Sequence, residues 1–402
     1  MELSRRDFIG MAGGAGAAAM LGLFPGQAQA HPQLPASVTD AIAHRTYDGI
    51  HSWTNWLRKY GVKGFFCETG WPNSAEGPRL YDGTTKSDIP QWRTLGNKIY
   101  SWFDAADVWV TYWTAATTQG DSIWKAYTPT DYSASFAARV INKAYGQASV
   151  IEAHRSTRAY KRGVNINGGE LMLGMNDFSN QNLGVYGQNY VYPNRASLAY
   201  LARRGHKVIR VPFRWERVQP TLTPGSTSGS LNRVEVDRLK KVVDNARAEG
   251  LGVILDPHNW AGYSFASGRK VIGSPGLPIA AFKDFWWRLS KQFKDRPGVA
   301  GYQLMNEPYG MPGGAPQWEK ASQVAVNAIR STGDKQRVMA TGYFKSDRVP
   351  GSGVFGFVQH HPDPWIKDPL KKVLYTTHGY WGHYGYDWMY NESNAYWKNK
   401  GF

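Results

Sequence analysis

Two glutamates, each at the end of an apolar run, are the residues of this chain best suited to chemistry. Glu307 closes the stretch 301–307, and Glu68 closes the stretch 64–68. In a barrel of parallel strands the C-terminal strand ends form the active-site rim, so a carboxylate there faces a ligand instead of the core. Cleavage of a glycosidic bond uses two carboxylates: one protonates the departing oxygen, and the other attacks or activates water. The pair therefore predicts glycoside hydrolysis; buried salt bridges are the alternative.

Polar or aromatic residues also end several other apolar runs of the chain. They are Trp113, Arg210, His258, Asn306, His378 and Tyr380. Each alone is weak evidence, because a strand-end histidine is more often structural than catalytic and a strand arginine can simply pair a carboxylate. As a set they are expected to line the same rim as the two glutamates.

Eight apolar segments alternate with helical patterns and must position these residues. Strands are predicted at 62–68, 107–113, 163–168, 207–213, 252–256, 300–305, 337–341 and 372–377. Helices are predicted at 38–58, 90–104, 133–153, 198–204, 234–248, 278–293 and 318–331. Strands that alternate with helices form parallel βα units, and eight of them close a (β/α)8 TIM barrel. Residues 31–402 are expected to form one such α/β domain.

The ordered combination of strand-end residues resembles the cellulase family of retaining glycoside hydrolases, glycoside hydrolase family 5. The matching positions are Arg210, His258, Asn306-Glu307-Pro308, His378 with Tyr380, Glu68, Trp113 and the opening Gly163-Val164-Asn165. The resemblance implies that Glu307 is the acid/base, protonated when the substrate arrives. It implies that Glu68 is the nucleophile, which forms a glycosyl-enzyme ester.

The same resemblance assigns substrate-binding roles to the remaining residues. Asn306 would hold the sugar 2-hydroxyl, and Tyr380 would hydrogen-bond the nucleophile, which Arg210 keeps ionised. His258 and His378 would orient substrate and carboxylates. Trp113 would form the floor of the subsite before the cleaved bond.

The order of the motifs departs from the family pattern. The strands matching the seventh and eighth of the family come first here, at 62–68 and 107–113, and the chain ends soon after the sixth. This order predicts a circular permutation, which barrel closure permits because the last strand lies beside the first. The rival is a separate domain at 31–160, with the nucleophile drawn from Glu392. That residue follows a polar, aromatic stretch without strand character.

The N-terminus predicts export. Arg5-Arg6 precedes a Gly/Ala-rich apolar stretch, and Ala28-Gln29-Ala30 is a small-residue cleavage site, so residues 1–30 are interpreted as a twin-arginine signal peptide. The mature protein is expected in the periplasm or outside the cell. No later run reaches the length of about 18 apolar residues that a membrane span requires. The single cysteine, Cys67, excludes an intramolecular disulfide and is expected to pack in the core.

The basic composition is compatible with an acidic polysaccharide or the cell surface as partner, and a merely solvated basic face is the default interpretation. The net charge is +16, and seventeen tryptophans and twenty-three tyrosines offer rings on which sugars can stack. No nucleic-acid motif is present, and the prediction is a monomer without cofactor or metal. The first substrate choice is β-1,4-glucan; mannan, xyloglucan or an acidic bacterial exopolysaccharide stay open.

Two rivals belong to other functional classes. One is a saccharide-binding barrel without turnover, although the presence of both carboxylates argues against it. The other is a metal-dependent hydrolase that uses carboxylates with histidines from the set His258, His360, His361, His378 and His383, which lack a compact ligand spacing.

Overall fold

The computed structural model describes residues 38–71, 89–116, 161–345 and 353–380, with a few isolated positions between 126 and 141. The barrel strands are β1 Lys63–Gly70, β2 Trp109–Ala116, β3 Arg162–Asn167, β4 Val208–Phe213, β5 Gly252–Pro257, β6 Val299–Gln303, β7 Val338–Thr341 and β8 Val373–Tyr380. The helices around them are α1 Val38–Tyr60, α2 Ile89–Ala106, α3 Arg195–Arg203, α4 Arg233–Ala248, α5 Ile279–Phe293 and α6 Gly314–Ser331. The eight predicted strands are confirmed.

The strands pair in parallel in chain order, and β1 closes the barrel between β8 and β2. β2 pairs in turn with β3, with Thr111 opposite Gly163. The permuted order of the motifs predicts both of these arrangements, β1 between β8 and β2 and β2 beside β3. A two-residue strand, Tyr127–Thr128, adds to β2 outside the barrel, and Ser133–Ala134 pairs with it. The fold is a closed (β/α)8 barrel.

The strands read as apolar runs because helices cover them on the outside and side chains fill them inside. All six residues of β4 are buried, as are seven of the eight in β1. The inner layer is formed by Phe65, Cys67, Trp109, Val208, Ile254, Met339 and Leu374. Cys67 is therefore a buried, free thiol of the core, as predicted.

The helices follow the predicted patterns with two shifted starts, and α3 begins at Arg195 instead of the predicted 198. α6 begins at Gly314, four residues before the predicted 318, because Pro316 lies in the first turn, where a missing N–H costs nothing. The helix predicted at 133–153 lies almost entirely outside the described residues. Among the helices that the structure describes, none is long and apolar enough to span a membrane.

Candidate active site

The C-terminal strand ends carry a connected group of polar side chains, and a β-bulge places Glu68 in it. β1 has one more residue than either neighbour at this point: Phe66 pairs with Thr377, but Glu68 pairs with the next residue, His378. Because strand side chains alternate, the extra residue turns Glu68 into the barrel instead of outward with Phe66. The bulge turns the carboxylate into the barrel interior, where it is fully buried.

The carbonyl of Cys67 is held by side chains from the neighbouring strands. It accepts hydrogen bonds from the Thr111 hydroxyl at 2.5 Å and from the Asn165 amide at 2.9 Å. A buried carbonyl outside the strand ladder would otherwise be unsatisfied. Thr111 and Asn165 therefore fix the backbone immediately before Glu68.

Arg210, fully buried in β4, connects most of the polar side chains inside the barrel. Its guanidinium donates to Glu68 Oε1 at 2.7 Å, and its other acceptors are Asn165, Asp256, Gln303 and Asn306, all between 2.6 and 2.9 Å. Burial opposes the charge, but the carboxylates of Asp256 and Glu68 outweigh it and raise the pKa of Arg210. Arg210 thus stabilises the ionised form of Glu68.

His258 and Asn306 have orientations set by the same network. The His258 ring places Nδ1 2.8 Å from Asp256 Oδ2 and Nε2 3.2 Å from the Asn306 amide nitrogen. Since the Asn306 oxygen accepts from Arg210, its NH2 group must face His258. His258 then carries its proton on Nδ1 and accepts at Nε2.

Glu307 enters the site through an unusual backbone conformation. Its φ is 37°, in the left-handed region, so Asn306 and Glu307 both face the barrel axis although they are consecutive. Glu307 Oε1 lies 2.8 Å from His378 Nδ1, and Oε2 accepts from the Trp260 indole at 3.1 Å.

β8 supplies two side chains through simple alternation. His378 and Tyr380 are two residues apart and so share the inner face. The Tyr380 hydroxyl donates to Glu68 Oε2, and His378 Nδ1 also lies 3.5 Å from that oxygen. Burial opposes protonation of His378, but the Cys67 sulfur, the Glu68 carboxylate and the hydrogen bond to Glu307 raise its pKa to about 10. A protonated His378 places a positive charge between the two carboxylates.

Glu68 and Glu307 approach each other closely. One oxygen from each, together with a ring nitrogen of His378, all lie within 4.8 Å of one another. Among the described residues these three form the only group with the spacing of a metal site, and all three are buried. His258 bonds Asp256, and His361 bonds Glu319, so the histidines considered for a metal do not converge; His383 lies outside the described residues.

Trp113 also reaches the site through a register shift. Between Tyr112 and Ala115, β2 has one residue more than β3, and the Thr114 hydroxyl donates to the Asn165 carbonyl at 2.9 Å. The indole stacks on His258, with ring centroids 5.5 Å apart and an interplanar angle of 23°.

The structure thus brings together the eight residues predicted as a set. Sequence analysis missed several other polar side chains of this region: Asn165, Glu170, Asp256, Trp260 and Gln303. Isolated polar residues inside apolar strands could have identified Asn165, Asp256 and Gln303, since burial demands partners. Burial raises the pKa of Glu170, although the hydrogen bond from the Gly168 N–H and the nearby Arg214 guanidinium oppose the rise, so this carboxyl is a further titratable group beside the site.

A closed parallel barrel that holds two adjacent carboxylates at its C-terminal rim is an architecture of glycoside-cleaving enzymes. The family model for cellulase, glycosyl hydrolase family 5, matches residues 159–401. The chain belongs to this family, as its motifs indicated. A second match, to the twin-arginine translocation signal sequence at residues 2–22, confirms that the chain is directed to export.

Individual relatives share between a quarter and a third of their aligned residues with this chain. "Probable endo-beta-1,4-glucanase B" of Neosartorya fischeri is 29% identical over 242 residues, covering 60% of this chain and 66% of the relative. Endo-beta-1,4-glucanase B of Aspergillus niger is 28% identical over 198 residues, covering 49% and 54%. The crystal structure of Pseudomonas stutzeri endoglucanase Cel5A is 33% identical with a TM-score of 0.46, covering 54% and 61%. The chain spans between half and two thirds of the length of these curated relatives.

Proposed function

We propose that this chain is a retaining endo-β-1,4-glycanase acting on a cellulose-type β-1,4-glucan. The observation that carries the proposal is the approach of Glu68 and Glu307, whose nearest oxygens lie within 4.8 Å. Retaining enzymes hold their carboxyl groups about 5 to 5.5 Å apart, whereas inverting enzymes leave about 6.5 to 9.5 Å for a water molecule. The short separation favours direct attack by one carboxylate.

The contacts of each carboxylate suggest its role. Glu68 receives hydrogen bonds from Arg210 and Tyr380, which favour the ionised form that a nucleophile requires. In the first step Glu68 attacks the anomeric carbon while Glu307 protonates the departing glycosidic oxygen. In the second step Glu307 removes a proton from water, which displaces Glu68 from the ester and restores the original anomeric configuration.

The remaining residues bind the sugar in this mechanism. The Asn306 amide lies beside both Arg210 and His258, where it can meet the 2-hydroxyl of the sugar that reacts with Glu68. The Trp113 indole offers an aromatic face beneath that sugar. His378, between the carboxylates, moderates their mutual repulsion.

The choice of β-1,4-glucan is supported by the names of the relatives, which include endo-β-1,4-glucanases of two fungi. The net charge of +16 would also attract an acidic polymer with a β-glucan backbone. Such a polymer would be cleaved by the same carboxylates, since charge on a side branch does not alter the glycosidic bond.

Glu307→Gln tests the activity. We expect the native protein to release reducing ends from β-1,4-glucan faster than from mannan, xyloglucan or an acidic β-glucan-backbone exopolysaccharide. The variant should lose about 10²- to 10⁴-fold of this rate, because glutamine cannot donate a proton to the leaving oxygen. Reducing-sugar assays on the four polymers measure both. Binding without release by the native protein would favour the non-catalytic barrel, and a chelator that stops release would favour metal chemistry.

We also propose that residues 31–402 form one circularly permuted barrel. The family match begins at 159, just before β3, and β1 and β2 lie outside it. Yet these two strands complete the barrel and carry Glu68 and Trp113. The expectation that the mature N-terminus and Phe402 are adjacent falls outside the described residues.

A rearranged chain tests the permutation. Residues 161–402 joined by a flexible linker to residues 31–160 should fold and cleave the same polymer at a rate within about threefold of the native protein, since barrel contacts do not depend on where the chain is cut. Circular dichroism and the reducing-sugar assay measure this. An unfolded product with several linker lengths would argue against the permuted barrel.

A further inference from the structure

The segment after β5 has a backbone conformation that non-glycine residues rarely adopt. Trp260 and Ala261 have φ values of 50° and 58°, and Glu307, which faces them, has a φ of 37°. Left-handed conformation is unfavourable for a bulky residue such as tryptophan, and it persists where surrounding contacts enforce it. Such strain clusters at functional sites.

The backbone on both sides of Trp260 is held by two charged groups, the buried Glu216 and the exposed Arg269. The Glu216 carboxylate accepts from the Ser264 N–H at 2.6 Å and from the Asn259 side-chain amide at 2.7 Å. Arg269 Nη2 donates to the carbonyls of Asn259 at 3.1 Å and Trp260 at 2.8 Å. These contacts keep residues 259–264 in one conformation.

The Trp260 side chain is fixed just as closely. The Arg214 guanidinium lies over its ring, 4.9 Å from the centroid, and His258 contacts the ring edge-to-face at 5.0 Å. Arg214 is itself anchored by a hydrogen bond to the Glu170 carbonyl at 2.9 Å. These contacts orient the indole N–H toward Glu307 Oε2, to which it donates a hydrogen bond at 3.1 Å.

This contact has a defined chemical effect, because an indole N–H can donate but never accept. It occupies one lone pair of Oε2, and the His378 ring nitrogen occupies one on Oε1. The carboxyl group therefore cannot rotate, and a proton on Oε2 must use the remaining lone pair.

We infer that Trp260 is a positioning residue for the acid/base, an inference that rests on the proposed function. Through its N–H it sets the direction in which Glu307 delivers its proton. Without the N–H, the carboxyl group gains rotational freedom.

Trp260→Phe tests the inference, with Trp287→Phe as the matched control. Trp287 lies on α5, outside the site, and contacts Lys291. Two probes separate proton transfer from other effects: cellopentaose, whose leaving group needs a proton, and 2,4-dinitrophenyl β-cellobioside, whose leaving group does not. We expect Trp260→Phe to lower kcat/KM, which reports the steps up to formation of the glycosyl ester, about tenfold on cellopentaose and less than about twofold on the aryl glycoside.

Trp287→Phe should leave the ratio of the two kcat/KM values unchanged. This ratio does not depend on the folded fraction, so partial unfolding cannot imitate the result.

Equal losses on both probes would show that Trp260 is merely structural and overturn the inference. A native protein that cleaves neither probe would instead contradict the proposed function, so the two failures are distinguishable.

Discussion

Glu68→Ala is expected to reduce turnover by about 10⁴-fold or more on every substrate, because it removes the group that attacks the anomeric carbon. Unlike loss of the acid, loss of the nucleophile cannot be offset by a better leaving group. The fall should therefore be similar on a β-1,4-glucan and on a dinitrophenyl cellobioside. Steady-state rates on the two substrates measure it.

A matched glutamate outside the barrel interior provides the control. Glu249 pairs with the exposed Arg195 at 2.7 Å on the surface, and Glu249→Ala should keep near-native rates. Full activity in Glu68→Ala would refute both the nucleophile and the permuted barrel that supplies it. Glu392 would then become the candidate.

Arg210→Met is expected to have the second largest effect, on stability as well as on activity. The substitution removes the cation between Glu68 and Asp256, both fully buried. Breaking a buried ion pair from one side leaves uncompensated charge, which costs about 3–5 kcal/mol in the free energy of unfolding. Turnover should fall as well, since Glu68 and Asn306 lose their shared donor. Urea unfolding and steady-state rates measure the two effects.

Arg296→Met is the matched control for this substitution. Arg296 pairs with Asp244 at 2.5 Å on the protein surface, where an ion pair contributes about 1 kcal/mol or less. The Arg296→Met variant should have a free energy of unfolding close to that of the native protein and should keep its activity. If Arg210→Met were as stable and as active as this control, the buried charge network would not be what holds the site together.

Much of the barrel could be predicted from sequence because its strands are buried on both faces. Apolar runs, most of them separated by helical patterns, located β1 to β8 without knowledge of their neighbours. The spacing of His378 and Tyr380 placed both on one face, and the strand-end rule grouped them with Glu307.

The orientation of the side chains at the candidate site could not be predicted, because it depends on contacts between residues that are distant in sequence. The bulge at Cys67 is held by Thr111 and Asn165, which lie on two other strands. Without it, alternation would point Glu68 away from the barrel interior. The left-handed conformation of Glu307 and that of Trp260 also arise from tertiary contacts, which no local propensity encodes.

Asp256 and Gln303 were missed for a related reason. Each is a single polar residue within an apolar strand, and only the position of Arg210 in the folded barrel reveals what they bind. A buried arginine with several hydrogen-bond donors requires several acceptors, so a search for inward-facing polar residues near Arg210 could have found them.

The most direct test of the assigned roles is the anomeric configuration of the glycosyl azide formed when azide is added to the two alanine variants with an activated aryl β-glycoside. In Glu68→Ala, azide would attack the substrate itself, and a single displacement gives the α-azide. In Glu307→Ala, azide would attack the glycosyl ester on Glu68, and two displacements give the β-azide. We expect these two products, which nuclear magnetic resonance distinguishes; a β-azide from Glu68→Ala, or an α-azide from Glu307→Ala, would contradict Glu68 as nucleophile and Glu307 as acid/base.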